Sequence, residues 1–248
     1  MNRLQNKVAL ITGASRGMGE SHARLFIAEG AKVILADVTE QAGQVLANEL
    51  GDNALFLKLD VTKPADWQRV VAASEAKFGN INVLVNNAGV LGPIADTVAL
   101  GEDDYLKVCA INQHGVFFGM QAVIPSMLKV GKGSIVNISS VAGIVSIYGA
   151  PSLAYVASKF AVRGMTKKTA VEFGSKNIRV NSVHPGFINT PMMVEATNED
   201  GGDAMALIPL GRLAEPKEVS QLVLFLASDE SSYITGTEHI IDAGMTAQ

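Results

Sequence analysis

The chain has 248 residues, is 48% hydrophobic and 18% charged, and carries a net charge of −4. Such a composition can bury a sizeable core and excludes a disordered chain. With no basic or acidic block, it also argues against nucleic acid as a main partner and against an electrostatic membrane anchor.

A lone Cys109 rules out an intrachain disulfide and suits a reducing compartment. The polar stretch Met1 to Lys7 and the short apolar run Val8 to Ile11 do not read as a signal peptide. No apolar run reaches the roughly 18 residues of a membrane span, so the expectation is a soluble cytoplasmic protein.

Lys7 to Thr12 is an apolar run of the buried-strand type, and Glu20 to Glu29 reads as a helix ending at Gly30. Between them lies Gly13-Ala14-Ser15-Arg16-Gly17-Met18-Gly19. A glycine turn from strand to helix lets the backbone approach a phosphate, and the helix N-terminus offers unpaired N–H groups. The spacing is G-x-x-x-G-x-G, not the G-x-G-x-x-G fingerprint, and a tight βα turn alone would also account for it.

The next strand, Ala31 to Ala36, ends in Asp37, 18 residues after Gly19. An acid near this spacing accepts hydrogen bonds from the adenosine ribose and repels a 2′-phosphate. Arg16 is the conflicting signal, since it could pair with such a phosphate. Asp37 tips the reading toward NAD.

A helix from Glu40 to Leu50 leads to a strand, Ala54 to Leu59, closed by Asp60-Val61. Asp60 either bonds an adenine amino group or caps the following turn. A helical segment over Trp67 to Phe78 precedes strand Ile81 to Val85 and then Asn86-Asn87-Ala88-Gly89. These amides either tie neighbouring strands and pass close to a cofactor, or form an Asx turn.

The stretch Glu102 to Lys129 reads as a long helix that Pro125 kinks or ends. Asn112 lies within it among apolar neighbours, where a buried Asn would break the helical hydrogen bonding locally. His114 reads as a surface or interface histidine, and Phe117, Phe118 and Met120 face either a partner or the core. Strand Ser134 to Ile138 ends in Ser139-Ser140, and strand Ile178 to Val183 ends in His184-Pro185-Gly186. From Phe187 to Leu210 the pattern dissolves; its 24 residues favour a lid over an apolar pocket rather than a bare connection. A helix over Pro216 to Ala227 and a strand over His239 to Asp242 follow. The β-α-β alternation implies an α/β fold, one domain with a doubly wound parallel sheet.

One further stretch carries chemistry. Tyr155 and Lys159 are four apart and share a face on a helix. An ammonium beside a phenol favours the phenolate, so the tyrosine pKa is expected to fall from about 10 toward neutrality. Such a phenol can take a proton from an alcohol or return one to a carbonyl. The pair alone is weak, because an exposed helix face with a snorkelling lysine has the same spacing.

In order and spacing, Thr12 to Gly19, Asp60-Val61, Asn86 to Gly89, Asn112, Ser140, Tyr155 with Lys159, Pro185-Gly186 and Thr190 closely resemble the short-chain dehydrogenases/reductases, over essentially the whole chain. The resemblance implies a seven-stranded Rossmann sheet with helices on both faces. It implies that the cofactor phosphates lie over Gly13, Gly17 and Gly19 with Ser15, Arg16 and Met18 beside them. Asp37 would hold the ribose, Asp60 and Val61 the adenine, and Asn87, Ala88 and Gly89 the adjoining wall. Pro185, Gly186, Ile188 and Thr190 would flank the nicotinamide, and Lys159 its ribose. Tyr155 would be the acid/base, Ser140 would orient the substrate oxygen, and Asn112 would hold a water that returns the proton.

Members of the family usually form tetramers, so a homotetramer is expected. Some similar proteins bind Mg²⁺ at the C-terminal carboxylate, which Gln248 would permit, but no resident metal is expected. One departure is the 15-residue separation of Ser140 and Tyr155, longer than in most members.

The expected substrate is a small hydrophobic secondary alcohol or ketone, cyclic or aromatic. The candidate pocket wall is apolar: Val90, Leu91, Ile144, Val145, Tyr148, Phe187, Met192, Met193 and Met205. The alternatives are an NADPH-dependent 3-oxoacyl thioester reductase, which Asp37 and the −4 charge oppose, and a non-catalytic dinucleotide-binding protein, which would not need the Ser-Tyr-Lys set.

Overall fold

In the computed structural model, which describes residues 2–146, 152–197 and 202–247, seven apolar runs form strands. They are β1 Val8–Thr12, β2 Lys32–Asp37, β3 Ala54–Lys58, β4 Val83–Asn86, β5 Gly133–Ile138, β6 Ile178–Pro185 and β7 Glu238–Ile241. They pair in the order β3-β2-β1-β4-β5-β6-β7, every ladder parallel. Every residue of β1 and of β4 is buried. Strands covered on both faces need continuous apolar runs rather than alternation, which is the pattern VALIT and VLVN show.

Helices α1 Gly17–Ala28, α2 Glu40–Leu50, α3 Pro64–Phe78, α4 Glu102–Cys109, α5 Gly115–Val130, α6 Leu153–Phe173, α7 Pro191–Thr197 and α8 Pro216–Ala227 complete the chain. Phe26, Leu46, Val219 and Leu224 build the core on one face of the sheet, against Ile11 and Leu35. Trp67, Val123, Met127 and Val162 build the other, against Leu10 and Leu84. The strand order reverses between β1 and β4, and a crevice opens at their carboxyl ends, where open α/β sheets bind ligands.

Several expectations need correction. Gly17 and Gly19 belong to the first turn of α1, so the glycine turn is shorter than it reads. Pro125 does not end its helix: α5 runs on to Val130, and the break lies upstream, in a π-turn over Ala110–His114 that contains buried Asn112. Met120 is core, whereas Phe117 is 46% exposed. The segment 187–210 is not without structure, since α7 and a 3₁₀ turn over Gly202–Leu207 lie in it. No helix of the described residues is long and apolar enough to cross a membrane.

Side chains take over where the ladders end. The Thr12 hydroxyl accepts from the N–H groups of Asn87 and Ala88, both at 3.0 Å. The Asn87 amide donates back to the carbonyls of Thr12 (2.9 Å) and Gly13 (3.1 Å). Thr12→Val keeps the shape but strips both N–H groups of their acceptor. We expect a loss of about 1–3 kcal/mol, read as a lower denaturant midpoint at unchanged slope.

His22 is buried between α1 and α8, with Nδ1 2.7 Å from the Ser220 hydroxyl and Nε2 unpaired. Burial lowers its pKa to about 3. Between that value and the ordinary 6.5, the unfolded chain binds a proton that the folded one does not, so stability is full above pH 6.5 and falls on acidification. His22→Leu should remove this contribution: wild type should lose stability relative to the variant by up to about 1.4 kcal/mol per pH unit below 6.5, in paired denaturant titrations.

Candidate active site

The crevice at the β1/β4 switch is a cavity of about 250 Å³. Gly13, Arg16, Gly17, Met18, Asp37, Asp60, Val61, Asn87, Ala88, Gly89 and Thr190 line it. These eleven were expected to bind cofactor. Two positions at this turn require glycine for steric reasons. Gly13 has φ +63°, and a Cβ there would come within 2.9 Å of Ala88 Cα; a Cβ at Gly19 would collide with the Gly13 carbonyl. The N-terminus of α1, at Gly17 and Met18, belongs to this lining, and a first helical turn leaves N–H groups without intrahelical partners.

Asp37 closes β2 with its carboxylate fixed: Oδ2 accepts from Ser15 N–H at 3.0 Å and Oδ1 from Thr39 N–H at 2.9 Å. Val38 beside it is exposed and uncharged. Asp60 caps its own turn, accepting from the Thr62 N–H (3.0 Å) and hydroxyl (2.7 Å) and pairing with Lys63 at 3.1 Å. Burial pushes its pKa up, but those bonds outweigh it and hold the carboxyl below its ordinary value. Seven residues expected to bind cofactor do not line the cavity, Tyr155 and Lys159 among them. Ser15 is buried behind it on Asp37 and Thr39, and Gly19 lies within α1. Pro185 is the last residue of β6, Gly186 packs on Asp242, and Ile188 bridges to Ala214.

The catalytic candidates meet at the end of β5. Ser140 sits there with extended backbone and starts a 3₁₀ turn over Val141–Gly143, its Oγ accepting from Ala142 N–H at 3.1 Å. Tyr155 lies on the first turn of α6, near enough to the Ser140 side chain that this hydroxyl acts to lower the phenol pKa. Lys159 is buried one turn on, with Nζ donating to the Ile138 carbonyl at 3.0 Å and lying 5.5 Å from the Tyr155 ring centroid.

This geometry corrects the expected pKa. The Tyr155 pKa is raised, not lowered: burial is the larger effect, and the Ser140 hydroxyl opposes it. Burial also lowers Lys159 to about 8. The ammonium faces the ring and a strand carbonyl, so its charge does not offset the desolvation of the phenol.

Asn112 does not touch Tyr155 or Lys159 through its side chain. Oδ1 accepts from Val90 N–H at 2.8 Å, and Nδ2 donates to the Val90 carbonyl at 2.9 Å and to the Ser158 hydroxyl at 3.2 Å. Ser158 in turn donates to the Tyr155 carbonyl at 2.7 Å. Asn112 thus clamps the loop after β4 to α6.

Sequence reasoning passed over Thr39, Leu59, Ile111 and Pro191, which line the cavity; Val90 and Met192, read as substrate wall, line it too. Val38, beside Asp37, lines the cavity as well. It also passed over His184 as a mere strand end. His184 is fully buried, with Nδ1 3.0 Å from the Ser140 carbonyl and Nε2 2.8 Å from the Ser182 hydroxyl. Its place next to a Pro-Gly strand end was the available signal. Tyr148 and Gln248 lie outside the described residues.

Comparison with known proteins agrees with this architecture. A family model described as enoyl-(acyl carrier protein) reductase matches residues 13–246. The 3-alpha-(or 20-beta)-hydroxysteroid dehydrogenase of Mycobacterium bovis is 49% identical, over 99% of this chain and 91% of that protein. The cyclopentanol dehydrogenase of a Comamonas species is 45% identical over 100% of both. The crystal structure of a short-chain type dehydrogenase/reductase from Mycobacterium marinum matches with a TM-score of 0.94 at 34% identity, over 99% of this chain and 97% of that one. With identity of this order along nearly its full length and the same seven-stranded topology, the chain belongs to the short-chain dehydrogenase/reductase family.

Proposed function

We propose that the chain is an NAD-dependent dehydrogenase of hydrophobic secondary alcohols, acting reversibly on the matching ketones. The observation that carries the reading is the Ser140–Tyr155–Lys159 cluster beside a glycine-lined crevice. The family implies a nicotinamide dinucleotide, and the residues fit one: backbone N–H groups of α1 for the pyrophosphate, Asp37 for a ribose. When bound, the oxidised dinucleotide supplies the hydride acceptor and a positive charge near the phenol.

Tyr155 takes the proton from the substrate hydroxyl in oxidation and returns it in reduction. Ser140 Oγ hydrogen-bonds the same oxygen and stabilises the charge that develops on it. Lys159, with its pKa near 8, carries its ammonium at neutral pH, grips the nicotinamide ribose and favours the phenolate that burial opposes. We assign to Asn112 the water that returns the proton to solvent. That role falls to its main chain in the π-turn, because its side-chain amide is spent on Val90.

Asp37 supports NAD over NADP, since a carboxylate accepts from two ribose hydroxyls and repels a phosphate. The relatives' names, a hydroxysteroid and a cyclopentanol dehydrogenase, support a ring-bearing alcohol. Methionines 192, 193 and 205 suit a wall that adapts to apolar shapes.

Tyr155→Phe should cut turnover by about 10²–10⁴-fold while dinucleotide binding, followed by fluorescence, persists; retention of more than about a hundredth of wild-type turnover would sink the acid/base assignment. Side-by-side rates on cyclic alcohols should favour NAD⁺ over NADP⁺. A preference for NADP⁺ would overturn the role given to Asp37 and weaken the substrate class with it.

A further inference from the structure

The last rung of the β5·β6 ladder is Ser139 N–H to the Val183 carbonyl, at 2.8 Å. One residue on, the Ser140 carbonyl has no strand partner. It accepts instead from two donors: the Gly143 N–H of the 3₁₀ turn at 2.9 Å, and His184 Nδ1 at 3.0 Å. A carbonyl oxygen can only accept, so Nδ1 carries the proton. Nε2 is then the acceptor for the Ser182 hydroxyl at 2.8 Å. The ring is fully buried, both nitrogens are engaged, and the tautomer is fixed.

His184 is held neutral. Burial lowers its pKa most; the Ser140 carbonyl and Glu238 pull it up, and Arg163 and Lys159 push it down again. Ser140 Oγ is aimed by the same turn that the carbonyl anchors, through the bond from Ala142 N–H. Without the imidazole, the Ser140 peptide would be held on the turn side alone.

We infer that His184 is a positioning residue for Ser140: a second strand reaches under the catalytic serine and fixes its peptide through an Nδ1–H donor. The inference rests on the catalytic reading of Ser140 proposed above. It assigns His184 no proton transfer and no contact with substrate. A misplacement of the hydroxyl by a fraction of an ångström would act on the reacting state more than on dinucleotide affinity.

Five variants and one spectrum test it. Ser140→Ala alone should lower kcat, which checks the underlying reading. His184→Leu should lower kcat by about tenfold to a hundredfold, with the KM for dinucleotide little changed. His184→Asn puts an amide N–H where Nδ1 stands and should recover most of the loss. His184→Gln places its amide toward Ser182 instead, preserves polarity and bulk, and should not recover it.

In the Ser140→Ala background, His184→Leu should cost little more, because its effect passes through the missing hydroxyl. Long-range ¹H–¹⁵N spectra should show His184 protonated at Nδ1 and bare at Nε2. An Nε2–H tautomer, no advantage of Asn over Gln, or an undiminished loss in the Ser140→Ala background would overturn the inference and leave the alcohol dehydrogenase reading standing. Wild-type turnover in Ser140→Ala would overturn both.

Discussion

A parallel sheet leaves a row of unpaired backbone groups along its carboxyl edge, and the site is built from the side chains that satisfy them. Buried N–H and C=O groups cannot be left alone at a cost below a kilocalorie or so each. Thr12 answers for β4, Asn87 for β1, and Asp37 closes the turn after its own strand. Ser139 donates to the Lys159 carbonyl, and Lys159 donates to that of Ile138. Two of these residues, Asp37 and Asn87, also line the crevice, so the hydrogen bonds that finish the ladder fix part of its wall.

The electrostatics follow from the same burial. A phenol and an ammonium set at the base of a strand are both desolvated, and desolvation acts against the charged form of each. The phenol is pushed up from its ordinary 10 and the ammonium down to about 8, so their pKa values move apart. The phenol therefore keeps its proton until further positive charge arrives. Spacing along a helix captures the partnership but omits the solvent, which is why the expectation of a lowered Tyr155 failed in sign.

What the sequence disclosed was local. The run from Thr12 to Gly19, the acid at the end of β2 and the Tyr155–Lys159 spacing each depend on neighbours within one turn or one strand, so the residues themselves carry the signal. Asn112 was legible for the opposite reason: a poor helix former among apolar residues has to break the pattern, and it sits in a π-turn. Long-range contacts were not legible. Nothing near His184 in the chain points to Ser140, 44 positions away. Nor does Arg163 reveal that it joins Glu238 of β7 at 2.7 Å while donating to the Gly143 carbonyl at 3.4 Å. Such pairs exist only once the sheet order is set.

That wiring also holds both ends of the stretch between Ser140 and Tyr155. Gly143 admits no side chain: a Cβ there would lie 2.5 Å from Ser139 Oγ and 2.8 Å from the Lys159 carbonyl, so the 3₁₀ turn is seated directly on α6. At the other end, Ser152 is buried and its carbonyl accepts from Val156 N–H, which fixes the start of α6. Ser140 and Tyr155 are thus held by contacts of their own, the serine through the 3₁₀ turn and the tyrosine through the first turn of α6.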